Sequence, residues 1–106
     1  MSIDQKNKVD FISTSPEGKV VLTISDHLFW DEKNEHLLAL QDKLNYYLGF
    51  IENGEIFDEY PAAKNNNLTI EVILKYEPNE IGLSFLNKYK ETIVNAGIDF
   101  EWRQIT

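Results

Sequence analysis

The chain has no cysteine, one methionine, three prolines and five glycines. Without a thiol there is no disulfide framework, no thiolate zinc site and no cysteine nucleophile. Positive charge is scarce too, with 10 Lys and Arg against 18 Asp and Glu, for a net charge of −8. A polyanion repels nucleic-acid phosphates, and its few cations are dispersed rather than gathered in a stripe. No apolar run is long enough to span a bilayer, and the opening Met1 to Lys8 lacks the apolar core of a signal peptide. The expectation is a cytoplasmic protein engaging neither nucleic acid nor membrane. There is no glycine-rich phosphate loop and no nucleophile elbow, and each glycine is expected at a turn or a helix end. No HExxH pair or comparable ligand set is present, so neither a metal nor a cofactor is expected.

What the chain does have suits one folded unit. At 106 residues, 42% apolar and 12% aromatic, it is expected to form a single α+β domain over residues 1–106, with residues 1–7 as a polar tail. Val9 to Thr14 reads as a strand with Val9 and Phe11 on one face, and Ser15-Pro16-Glu17-Gly18 as a turn. Lys19 to Ser25 reads as the antiparallel partner, with Val20, Leu22 and Ile24 on its apolar face.

Asp31 is placed to cap a long helix whose apolar stripe runs Leu37, Leu40, Leu44, Leu48 and Ile51, with Gly54 ending it. Glu55 to Tyr60 reads as a short edge strand stopped by Pro61, and Ala62 to Asn67 as a mobile polar loop. Leu68 to Tyr76 alternates strictly and is the clearest strand. Pro78 suits the first turn of a second helix with the stripe Ile81, Phe85, Tyr89, Thr92 and Ala96, closed by Gly97. Ile98 to Ile105 is the last strand, with Ile98, Phe100 and Trp102 on one face.

Every strand has one apolar and one mostly polar face, which argues against a sheet covered on both sides. The expected fold is a two-layer α+β sandwich: a mainly antiparallel sheet of four or five strands with two helices on one face, in the order ββα(β)βαβ. From Lys19 onward that is the ferredoxin-like order, here with an extra N-terminal strand.

Three places could carry function. At the first, Ser25 to Asp31, a strand hands over to a helix. There Asp26 could orient His27 as a base, with Trp30 as an apolar wall, in a small-ligand site or weak enzyme. The other reading is that Asp26 caps a turn that His27 covers; His36, off the apolar stripe, is expected to be solvated. Gln41 and Asn45 sit beside the stripe, where they could hydrogen-bond a ligand or simply mark the border with solvent.

The second is the aromatic group Tyr46, Phe50, Phe57 and Tyr60. Either the Glu55–Tyr60 segment covers it, or it is an exposed partner surface. The third is the open sheet face, where Ile12, Val21, Ile73 and Ile105 are expected among charges such as Asp10, Glu71, Asp99 and Arg103. No catalytic constellation is recognisable. The leading expectation is a non-enzymatic module that binds a protein partner or forms a homodimer. An acidic inhibitor or immunity-type protein facing a basic partner has this character.

The run Val20 to Leu28 with Trp30-Asp31, the stretch from His36 to Glu55, Tyr60-Pro61 and the strand Leu68–Tyr76 together resemble a family of small bacterial domains of unknown function. The resemblance spans nearly the whole chain. It implies a bacterial origin and a stand-alone domain, and it carries no catalytic residue with it.

Overall fold

In the computed structural model, which describes residues 9–31 and 35–105, the alternating segments pair into one four-stranded sheet in the order β1-β2-β3-β4. The strands are β1 (Phe11–Thr14), β2 (Val20–Asp26), β3 (Leu68–Leu74) and β4 (Asp99–Gln104). β1 and β2 form the expected antiparallel hairpin, turned at Gly18 with φ 89°.

The other two pairings correct the expectation of a mainly antiparallel sheet. β2 pairs with β3 in parallel, Leu22 beside Ile70, and β3 pairs with β4 in parallel, Ile70 beside Phe100. The ferredoxin-like order falls with it. Each parallel step is bridged by helix: α1 (Glu35–Glu52) and α2 (Glu55–Glu59) between β2 and β3, α3 (Glu80–Asn95) between β3 and β4. Two right-handed crossovers advancing in the same direction along a sheet put their helices on the same face. One face therefore stays uncovered, and half-wet strands are compatible with parallel pairing.

The second correction concerns 55–60. This segment is helix, not an edge strand, and the expected loop after it holds a 3-10 turn over Pro61–Asn65. α2 folds back beside the end of α1, burying Ile56 completely. Tyr60 then ties it to β1 through a 2.7 Å hydroxyl bond with Thr14.

The core lies between the sheet and the helices: Val20, Leu22 and Ile24 of β2, Ile70, Val72 and Leu74 of β3, and Phe100 of β4, against Leu40, Leu44, Tyr47 and Leu86. Phe11 is 47% exposed, whereas Ile12 stands beside Leu22 and packs on the core. The two therefore sit on the opposite faces to those expected.

Both helices are turned relative to their expected stripes. On α1 the buried row is His36, Leu40, Lys43, Leu44, Tyr47, Phe50 and Ile51, with Leu37 and Leu48 only half buried. On α3 it is Gly82, Leu86 and Ile93, while Ile81 is 54% exposed. α3 begins two residues after Pro78, which precedes the cap rather than sitting in the first turn; the cap is Asn79, whose side chain accepts the Gly82 N–H at 2.8 Å. Gly82 and Gly49 lie inside helices, so the glycines are not all at turns and helix ends.

Candidate functional site

Parallel strands gather their carboxyl ends on one edge, and in open α/β sheets ligands favour that edge. Here β2 ends at Asp26, its inward alternation placing the carboxylate under the start of α1. Asp26 is 2% exposed. Its Oδ1 accepts the Leu28 N–H at 3.2 Å, and its Oδ2 lies 2.5 Å from Nε2 of His36. His36 is 3% exposed, so its expected place in solvent is corrected: the first turn of α1 delivers it inward.

Asp31 makes that turn as expected. Its carboxylate accepts the N–H groups of His36 at 3.0 Å and Glu35 at 3.1 Å. The His36 N–H above all holds its carboxyl below the ordinary range. The expected polar tail at 1–7 lies outside the described residues.

The Trp30 indole leans on the His36 ring, with centroids 4.0 Å apart and planes 39° apart. The indole also meets Gly82, whose missing side chain is what admits it. Two buried atoms of this cluster, Nδ1 of His36 and Nε1 of Trp30, have no hydrogen-bond partner among the described residues. A cleft of about 240 Å³, lined by Leu28, Phe29, Asp31, Glu35 and His36, opens beside the imidazole.

The residues singled out at this junction thus separate. Asp26 and Trp30 converge, but on His36. His27 is exposed and lines another cleft, of about 500 Å³, with Ser25, Asp26, Ile73, Lys75, Tyr76 and Ile105, so Asp26 borders this cleft while its carboxylate is spent on His36 and Leu28. Phe29 lines the smaller cleft and Tyr76 the larger, and their rings stack at 3.9 Å.

Asn45 accepts a 2.8 Å hydrogen bond from the Tyr89 hydroxyl, joining α1 to α3, and Gln41 lines a shallow hollow with Phe85 and Tyr89. Neither reaches the Asp26 cluster's cleft. Of the aromatic group, Phe50 is 3% exposed, and Tyr46, Phe57 and Tyr60 are partly buried against the core. α2 supplies the cover.

A second buried polar network escaped sequence reasoning. Lys43, fully buried, donates to Asp10 Oδ1 at 2.8 Å, and Asp10 Oδ2 accepts the Ser25 N–H at 3.0 Å. The Tyr47 hydroxyl accepts the Asp10 N–H at 2.8 Å and donates to the Thr23 carbonyl at 2.7 Å. These bonds are internally matched and fasten β1 and β2 to α1. The only signal for His36 and Lys43 was their spacing: 36, 40, 43, 47 and 50 is itself a helical row.

Among the described residues no group of three or more His, Asp and Glu side chains could hold a metal, and no helix is long and apolar enough to cross a membrane. A surface hollow of about 550 Å³ runs along α3 from Asn87 to Asn95, and none of its lining residues is a buried polar one.

The model of a family of unknown function, DUF6572, matches residues 1–106, and the chain belongs to that family. No curated protein and no solved structure matches it.

Proposed function

We propose that this member of a family of unknown function is a small-ligand-binding protein whose site is the cleft beside His36. The observation that carries the reading is the state of the His36 ring, which lines an open cleft: Nε2 is held by Asp26, while Nδ1 is buried without a partner among the described residues. A buried polar atom left unpaired costs roughly 1–3 kcal/mol. A ligand that pairs with it recovers that cost, and the carboxylate fixes the ring so that no reorientation is needed on binding. The position at the carboxyl end of parallel β2 and β3 supports the same reading. The test is a thermal-melting screen against a metabolite panel. A hit is expected to shift the parent and the His27→Ala variant alike and to lose its shift in His36→Phe. A hit retained by a folded His36→Phe variant would place binding elsewhere.

A second reading, a basic protein partner on the uncovered sheet face, has its own support. That face carries half-buried Val21 and Ile73 with exposed Phe11 and Ile105. Around them stand Glu71, Asp99 and Glu101, with the cations Lys75, beside Ile73 and Ile105, and Arg103, 3.6 Å from Glu71. With −8 overall, two copies repel, so this reading expects a monomer that recruits a cationic protein in a salt-dependent way. Light scattering after size exclusion is the check, and a salt-insensitive dimer would contradict it.

A further inference from the structure

We infer, resting on the ligand-site reading above, that the cleft takes an organic cation: a primary ammonium carried on an apolar group. Among the described residues, the cleft's lining includes two carboxylates, Asp31 and Glu35, and no Lys or Arg. Asp31 is held in its charged form by the backbone N–H groups it caps, and each of its oxygens keeps a further lone pair. His36 adds a third acceptor. In the tautomer that carries its proton on Nε2, donating to the Asp26 carboxylate, Nδ1 presents a lone pair.

An ammonium group is all donor, with three N–H bonds and no lone pair, and these lining groups are all acceptors. A carboxylate or phosphate ligand would meet the same three groups and find no donor side chain among them. A neutral hydroxyl has one proton to give. Leu28 and Phe29 supply the apolar wall. Phe29 is 69% exposed although one of its faces is stacked on Tyr76, so an aryl or alkyl group has ring surface to cover. The net charge of −8 raises the local concentration of a cation and disfavours an anion. Trp30 does not line the cleft and takes no part.

The test uses three probes of one shape, benzylammonium, benzyl alcohol and benzoate, titrated into the intact 15N-labelled chain. Benzylammonium is expected to shift the amides of Leu28, Phe29, Asp31 and His36. Its affinity is expected to fall with added salt and to drop roughly 2- to 5-fold in Glu35→Gln, whose exposed side chain makes no structural bond. Equal or tighter binding of benzoate or benzyl alcohol at those amides would overturn the cation inference. So would an unchanged affinity in Glu35→Gln, or no response to any of the three. The melting screen separates the two levels: a hit at His36 that is not a cation sinks the inference alone, whereas no hit at His36 sinks the ligand-site reading with it.

Discussion

Trp30 and Gly82 are fitted to each other: a β-carbon added to Gly82 would stand 2.5 Å from Trp30 Cζ3. In an exposed helix interior, Gly→Ala gains about 1 kcal/mol from helix propensity. Here the added methyl would collide with the indole that leans on His36, and overpacking of this kind costs about 1–3 kcal/mol. Gly82→Ala is therefore expected to lose stability, by roughly 1 kcal/mol net, in urea unfolding. A stabilised variant would mean that the indole does not rest there.

The Lys43–Asp10 pair should show the asymmetry of buried charges. Lys43→Met removes the ammonium that the buried Asp10 carboxylate accepts from, and Asp10→Asn removes the carboxylate 2.8 Å from that ammonium; each is expected to cost about 3–5 kcal/mol. The double variant should recover a large part of that loss, since neither charge is then present. Equilibrium unfolding of all four proteins measures the coupling. Strictly additive single losses would show that the two groups do not meet.

Alkaline pH should destabilise the fold through tyrosine. Burial pushes the Tyr47 hydroxyl well above the ordinary value of 10.0, and burial, then the charge of Glu52, raises Tyr89 to about 12. The native state keeps protons that the unfolded chain releases, so stability is fully present below pH 10 and falls as pH rises from there toward the folded values. The slope approaches about 1.4 kcal/mol per pH unit for a fully buried group and is smaller for half-exposed Tyr89. Tyr47→Phe, though less stable at neutral pH, should lose one such proton from the slope. Unfolding curves of parent and variant at pH 9 and 11 make the comparison, and parallel losses would exclude Tyr47 as the source.

The Asp31 cap gives the opposite sign. Its lowered carboxyl contributes stability above the unfolded carboxylate range, and that contribution disappears as pH falls through the folded value. Asp31→Ala is expected to lower the melting temperature at pH 7 and to flatten its fall toward pH 3. An unchanged acid limb would show that the cap is not made.

The strands were legible because one face of each is apolar, and the period of two marks them whatever their direction. Their direction was not legible from that pattern. Half-wet strands suggested antiparallel pairing, but a small sheet whose helices all lie on one side leaves parallel strands half wet as well. Segment 55–60 was misread because five residues give too short a window for either period. Its role as cover for Phe50 depends on packing rather than on its own pattern.

The site was half legible. Asp26 and Trp30 stood out at a strand–helix junction, but adjacency drew attention to His27, which alternation sends to the opposite side of the strand. His36 and Lys43 were hidden because an apolar stripe is counted in apolar letters. Their partners, Asp26 and Asp10, are 10 and 33 residues away in sequence. The Gly82 signal, a glycine in the first turn of a helix with no turn to make, was present and went unread.

The most direct measurement is a long-range 1H–15N spectrum of the two imidazoles, taken before and after adding a ligand found by melting. The account expects His36 to carry its proton on Nε2, with Nδ1 as a lone-pair nitrogen whose resonance moves on binding while His27 stays still. A His36 ring with the spectrum of a freely solvated imidazole, or a response confined to His27, would contradict it.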